Sequence, residues 1–142
     1  MYKFNEDNYL TEGTNVYNIR SEIENIADTI CKTGFDNIIL TGVGGTTADL
    51  TVVEKFFDVY SNLDVKLINA ADALVTKSKY ITNRSLIITG SKSGDTKETV
   101  AICEYARNLG AQVVVFISND NGPLNKIATY PIINNDTYIE NA

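Results

Sequence analysis

A chain of 142 residues with 44% hydrophobic and 21% charged side chains suits one globular domain around one core, and is neither disordered nor fibrous in composition. A formal net charge of −6 argues against a nucleic-acid partner, which favours a basic face, but leaves room for a small anion held by local donors. The absence of any histidine excludes a self-contained Ser-His-Asp or Cys-His mechanism and a histidine-containing zinc site, and no metal is expected. Acid–base work would fall to Glu, Asp, Lys or Tyr, or to residues from another polypeptide region. No apolar run approaches the length of a membrane span, and the opening MYKFNEDNYLTEG lacks the basic-then-apolar order of a signal peptide. No membrane partner and a cytoplasmic location are therefore expected. Cys31 and Cys103 stand far apart without a Cys-x-x-Cys spacing and read as buried helix thiols rather than a disulfide or redox pair.

Along the chain, a long helix through TNVYNIRSEIENIADTICKTG comes first, ended by Gly34. A strand follows at NIILTG (37–42), then a helix through TTADLTVVEKFFDVYSN with Leu50, Val53, Phe56, Phe57 and Tyr60 on one stripe. DVKLIN (64–69) and RSLIITG (84–90) read as the second and third strands. The helix TKETVAICEYARNLG then places Val100, Cys103, Ala106 and Leu109 together and stops at Gly110. AQVVVFIS (111–118) and ATYPIIN (128–134) complete five strands. The strands are continuously apolar rather than alternating, as strands covered on both faces are. Strand and helix in alternation predict an α/β, three-layer, doubly wound five-stranded parallel sheet with right-handed crossovers. Ligands of such sheets bind outside the carboxyl ends of the strands, where the strand order reverses. The polar tail NNDTYIENA follows the fifth strand directly, where doubly wound domains usually add another covering helix.

Two strand ends carry unusual chemistry. The first strand runs into Gly42, Gly44, Gly45, Thr46 and Thr47; the third runs into Ser91, Lys92, Ser93, Gly94, Asp95 and Thr96. Glycines admit close approach and positive φ, a helix start offers unpaired N–H groups, and hydroxyls add uncharged donors. Together they make a phosphate site. The competing reading is plain helix capping: Thr96 with Thr99, Asp95 with Glu98, or Thr46 with Asp49. Two such turns at equivalent strand ends converge on one crevice, which favours the phosphate reading. Neither loop fits a Walker A or a dinucleotide fingerprint, so no cofactor is expected.

TGSKSGDTKET resembles the Ser-x-Ser-Gly-x-Thr-x-Glu/Asp-Thr motif of the sugar isomerase (SIS) domain family, and GVGGTT resembles its first glycine-hydroxyl loop. The likeness covers residues 13–134 and is greatest to the first domain of two-SIS enzymes. These include the isomerase part of glucosamine-fructose-6-phosphate aminotransferase and the fructoselysine-6-phosphate deglycases. The resemblance implies a flavodoxin-like SIS fold spanning 1–142 as a single domain, the N-terminal half of a longer two-SIS protein. It implies that Ser91, Ser93 and Thr96 hold a sugar phosphate, that Thr46 beside Gly44 and Gly45 contacts the ligand, and that SNDNGPLNKIA forms a further loop where Ser118 meets the sugar. Lys92 replaces the aminotransferase glutamine; it either adds a cation to the phosphate or projects to solvent. Glu98 is either a first-turn helix residue favoured by the dipole or a general base. The implied substrate is a hexose 6-phosphate or ketosamine 6-phosphate, with the catalytic glutamate and histidine on a second SIS domain. No residue of this chain is assigned a catalytic role. A homodimer or a pairing with that second domain is expected, with VVEKFFDVY and NVYNIRSEIENIADTI as contact faces or as core. The alternative is a non-catalytic phosphosugar-sensing module.

Overall fold

The computed structural model describes residues 6–118 and 120–134. In chain order the elements are α1 (Glu6–Asn18), α2 (Arg20–Thr33), β1 (Asn37–Gly42), α3 (Gly45–Tyr60), β2 (Val65–Asn69), α4 (Ala70–Thr76), β3 (Ser85–Ser91), α5 (Lys97–Leu109), β4 (Gln112–Ile117), α6 (Pro123–Ile127) and β5 (Tyr130–Ile133). The five strands form one sheet ordered β2-β1-β3-β4-β5, every pairing parallel. The order reverses between β1 and β3, so the glycine-hydroxyl loops that follow these two strands flank the switch point.

Both faces of the sheet are covered, which is why the central strands need no polar alternation. Ile39, Ile87, Val113 and Val115 face one way and pack with Ala70 and Ala73 of α4, Ile102, Cys103 and Ala106 of α5, and Leu124 of α6. Ile38, Leu40, Leu86, Val114 and Ile132 face the other way, under Ile23, Ile26 and Ile30 of α2 and Leu50 and Phe57 of α3. Each fully buried side chain of this size contributes about 1.5–3 kcal/mol. Gly110 ends α5 in the left-handed region at φ 98°, its N–H returning to the carbonyls of Ala106 and Arg107. Edge strand β2 receives one side-chain partner: the Glu54 carboxylate of α3 accepts the Leu67 N–H at 2.9 Å, which blunts an otherwise open edge.

Several expectations change. The long N-terminal helix is broken at Ile19, where ψ is 0°. The α2 stripe of Ile30, Ile26, Ile23 and Ile19, extended backwards, reaches Val16 and then Glu12. Beyond the break, α1 leaves Tyr9, Leu10, Val16 and Tyr17 exposed. The α3 stripe divides: Leu50 and Phe57 turn inward, while Phe56 is 59% and Tyr60 74% exposed, and Val53 is exposed as well. In α5, Leu109 is exposed and Ile102 takes the central core position. Cys103 is buried as expected, but Cys31 is exposed, because it lies beside Ile30 on the flank of α2 rather than on its core stripe. The short α4 has no counterpart among the expected elements; Asn69 caps it by accepting the Ala71 N–H at 3.0 Å. The fifth strand is shorter than 128–134, and the tail beyond Asn134 lies outside the described residues. Among the described residues no helix is long and apolar enough to cross a membrane.

Candidate functional site

The loop between β3 and α5 is organised around one hydroxyl. Ser91, 6% exposed, ends β3, and its Oγ lies 2.9 Å from Thr96 Oγ1. The same oxygen accepts the Gly94 N–H at 3.2 Å, and the Ser91 carbonyl shares that N–H at 3.2 Å. Gly94 turns the chain at φ 74°, a conformation that a side chain would strain. Ser93 is exposed and donates to the Asp95 carboxylate. Thr96 occupies the N-cap of α5, yet its side chain makes no capping bond to the helix. The capping alternative therefore does not describe Thr96: its hydroxyl is turned to Ser91, and among the described residues no side chain caps the first N–H groups of α5. Glu98 lies exposed in that first turn, where a negative charge complements the helix dipole.

The first loop meets this one across the switch point. α3 starts one residue before Thr46, with Gly44 at its N-cap in the positive-φ region (57°) and again no side-chain cap. Thr46 in the first turn lies over the ends of β1 and β3. A Cβ added to Gly42 would stand 2.7 Å from Thr46 Cγ2, and one added to Gly90 would stand 3.6 Å from it. Gly42 is thus required for α3 to begin so close to the sheet. The Thr46 hydroxyl reaches towards the Gly90 carbonyl at 3.4 Å, a long contact.

The β4–α6 loop braces the assembly from the far side. The Ser118 N–H donates to the Lys92 carbonyl at 3.3 Å and the Leu124 N–H to the Gly94 carbonyl at 3.1 Å. A Cβ on Gly122 would fall 2.5 Å from the Gly94 oxygen, so this contact is backbone on backbone. Ser118 contributes its main chain to bracing and its side to the cleft.

That cleft, of about 370 Å³, is lined along α3 by Thr46, Asp49 and Leu50, and at the strand ends by Thr89, Gly90, Ser91, Lys92, Phe116, Ile117, Ser118 and Asn134. Of the residues singled out in the sequence, Thr46, Ser91, Lys92 and Ser118 line it together. Gly44, Gly45, Ser93 and Thr96 stand in the two loops beside it, outside its lining. Asp49, Phe116 and Asn134 were not singled out as ligand contacts; the parallel register that sets Gly90 beside Phe116 is visible only in three dimensions. A wider hollow of about 570 Å³ runs along Tyr9, Leu10, Gly13, Thr14, Val16 and Tyr17. Among the described residues its lining comes from α1, away from the strand ends. Among the described residues no group of three His, Cys, Asp or Glu side chains gathers to hold a metal.

No family model matches the chain. It is 27% identical over 103 residues to a glutamine–fructose-6-phosphate aminotransferase (isomerizing) of Pyrococcus horikoshii, covering 72% of this chain and 17% of that protein. The crystal structure of a proposed phosphosugar isomerase from Bacillus subtilis superimposes with a TM-score of 0.67 at 27% identity, covering 70% of this chain and 31% of that one. The resemblance to the sugar isomerase (SIS) domain family holds. An Escherichia coli protein solved in complex with a sugar phosphate shares the SIS fold at a TM-score of 0.73 and 15% identity, over 92% of this chain and 75% of that one. The SIS-like chain spans about a sixth of the aminotransferase and a third of the Bacillus protein.

Proposed function

We propose that this chain is the phosphosugar-binding SIS domain of a sugar-phosphate isomerase or ketosamine-6-phosphate deglycase, and that the 91–96 loop holds the phosphate. The observation that carries the reading is the uncapped start of α5 beneath a preset Ser91–Thr96 hydroxyl pair, at the edge of a cleft at the switch point. Ser91, Ser93 and Thr96 supply hydroxyl donors, the loop and first helical turn supply N–H groups, and Lys92 adds a cation from the cleft wall. Gly44, Gly45 and Thr46 close the opposite side, and Ser118 meets the sugar. Isomerisation of this class moves a proton between C1 and C2 through an enediol or enolamine, with a carboxylate as base. This domain's part is to fix the phosphate so that remote binding energy orients those carbons. The catalytic carboxylate and histidine belong, in this proposal, to a second SIS domain of a longer chain. Pairing with such a domain, or with a second copy, is supported by the apolar outer face of α3, where Val52, Phe56, Val59 and Tyr60 are exposed.

A calorimetric titration with glucose 6-phosphate and fructose 6-phosphate, set against the unphosphorylated sugars, tests the reading. Binding of the phosphates alone is expected, weakened by Ser93→Ala and by Thr96→Val. Equal binding of phosphorylated and plain sugars, or of neither, refutes it. One observation favours the sensing alternative: among the described residues lining the cleft, Asp49 alone carries a carboxylate. Phosphosugar binding without turnover by the full-length protein would decide for a sensor.

A further inference from the structure

The phosphate loop accounts for one end of the cleft and leaves the other unexplained. Phe116 lies in β4, between the buried Val115 and Ile117, and is nonetheless 42% exposed. Its side of the sheet is the one covered by α2 and α3, and Val114, two residues earlier on that side, is 4% exposed. Cover on this side therefore thins over Phe116 itself. Across the register its neighbour on β3 is Gly90, which has no side chain, and on β5 Ile132. The ring thus borders Gly90, over which Thr46 of α3 lies, one residue below Ser91. Opposite it, on α3, Asp49 follows Thr46 by one helical turn and lines the same cleft, with Leu50 beside it. Among the described residues the Asp49 carboxylate forms no hydrogen bond or ion pair. At the rim, Asn134 Oδ1 is buried and has no hydrogen-bond partner among the described residues.

An anion alone would have no use for this half of the cleft, because a carboxylate repels phosphate and an exposed ring gives it nothing. A polyol carried by the phosphate would use all of it. The carbon-bound hydrogens of a sugar form an apolar face that packs on an aromatic ring, while vicinal hydroxyls donate to a carboxylate in charge-assisted bonds. The spacing agrees: one strand residue or one helical turn puts Phe116 and Asp49 about 3–5 Å deeper than Ser91 and Thr46. Building on the phosphate reading above, we infer that Phe116 and Asp49 are the sugar-reading residues of this cleft, Phe116 as the platform for the carbon face and Asp49 as the hydroxyl acceptor. The ligand class they select is a phosphate ester of a hexose-sized polyol, in preference to inorganic phosphate or a three-carbon phosphate.

The test is a set of titrations of the chain with inorganic phosphate, glycerol 3-phosphate and glucose 6-phosphate. The wild-type chain is expected to prefer glucose 6-phosphate at least tenfold. Phe116→Ala should remove most of that preference while leaving inorganic phosphate affinity within twofold, and Phe116→Tyr, which keeps the ring, should retain it. Asp49→Asn should lower glucose 6-phosphate binding and raise that of inorganic phosphate. Undiminished preference in Phe116→Ala overturns the inference, as does a change in oligomeric state without a change in preference, which would make Phe116 a protein contact. Equal wild-type affinity for all three anions overturns it and spares the phosphate reading. Failure of the wild-type chain to bind any of them overturns both.

Discussion

Replacing Ser91 by alanine separates what the 91–96 loop does for folding from what it does for binding. The hydroxyl has two partners, Thr96 Oγ1 at 2.9 Å and the Gly94 N–H at 3.2 Å. Its loss does not orphan Gly94, because the Ser91 carbonyl accepts the same N–H at 3.2 Å. Thr96 is half-buried and can turn to water. The expected cost in stability is therefore one net hydrogen bond, about 1 kcal/mol rather than the 1–3 kcal/mol of a stranded buried group. For a domain of this size that lowers Tm by about 3–5 °C. Binding should suffer more, because a charge-assisted bond to phosphate is worth about 1.5–3 kcal/mol, roughly a 10–100-fold loss of affinity. Thermal denaturation of Ser91→Ala beside its titration with glucose 6-phosphate gives both numbers. A variant that binds with wild-type affinity refutes the role assigned to the hydroxyl. A variant that fails to fold refutes the claim that Gly94 retains a partner.

Gly122→Ala tests the bracing of the loop. Gly122 has an ordinary φ of −76°, so its cost is steric alone: the new methyl would meet the Gly94 oxygen at 2.5 Å and carbon at 2.7 Å. A loss of about 1–3 kcal/mol is expected, with weakened phosphate binding as the 91–96 loop is displaced; unchanged Tm and affinity would contradict it. Thiol titration should find Cys31 reactive in the native protein and Cys103 reactive only after unfolding, since one is exposed and the other fully buried. Burial, aided by the neighbouring Glu104 charge, pushes the Cys103 thiol up to about 12. The unfolded thiol ionises near its ordinary value of 9.0, so between about pH 9 and 12 the unfolded state binds fewer protons and stability falls. Cys103→Ala should flatten that part of the stability–pH profile relative to wild type; an identical slope would show the thiol uninvolved. Glu54→Ala, which frees the Leu67 N–H at the edge of β2, should cost about 1 kcal/mol, read by urea denaturation.

The sheet was legible because its central strands are apolar without interruption, a pattern that only strands covered on both faces can afford. Thr46, Ser91 and Lys92, which line the cleft, stood out because a strand end followed by glycine and hydroxyls has a local chemistry; Ser118, which lines it too, was marked only by the family resemblance. What escaped depends on packing between distant segments. The α3 stripe contains more apolar side chains than its buried face can hold, and nothing in their spacing tells Phe57, which turns in, from Phe56, which turns out. α4 covers two turns at most, too short for a helical period to stand out. Phe116 read as one more apolar residue of a strand; its exposure at the cleft depends on lying beside Gly90 across the register, under the first turn of α3. Asp49 read as part of a helix start until Thr46 was placed over Gly42 and Gly90.

On the proposed function, the start of α5, with the loop before it, binds the phosphate of a sugar phosphate. This binding is tested most directly by recording backbone amide NMR spectra of the chain as glucose 6-phosphate is added, with glucose as the control. The amide signals of residues 92–98 are expected to move together and saturably with the phosphate ester, those of Thr46 and Thr47 following, and none of these to move with glucose. Saturable shifts confined to α1, or shifts that glucose reproduces, would contradict it.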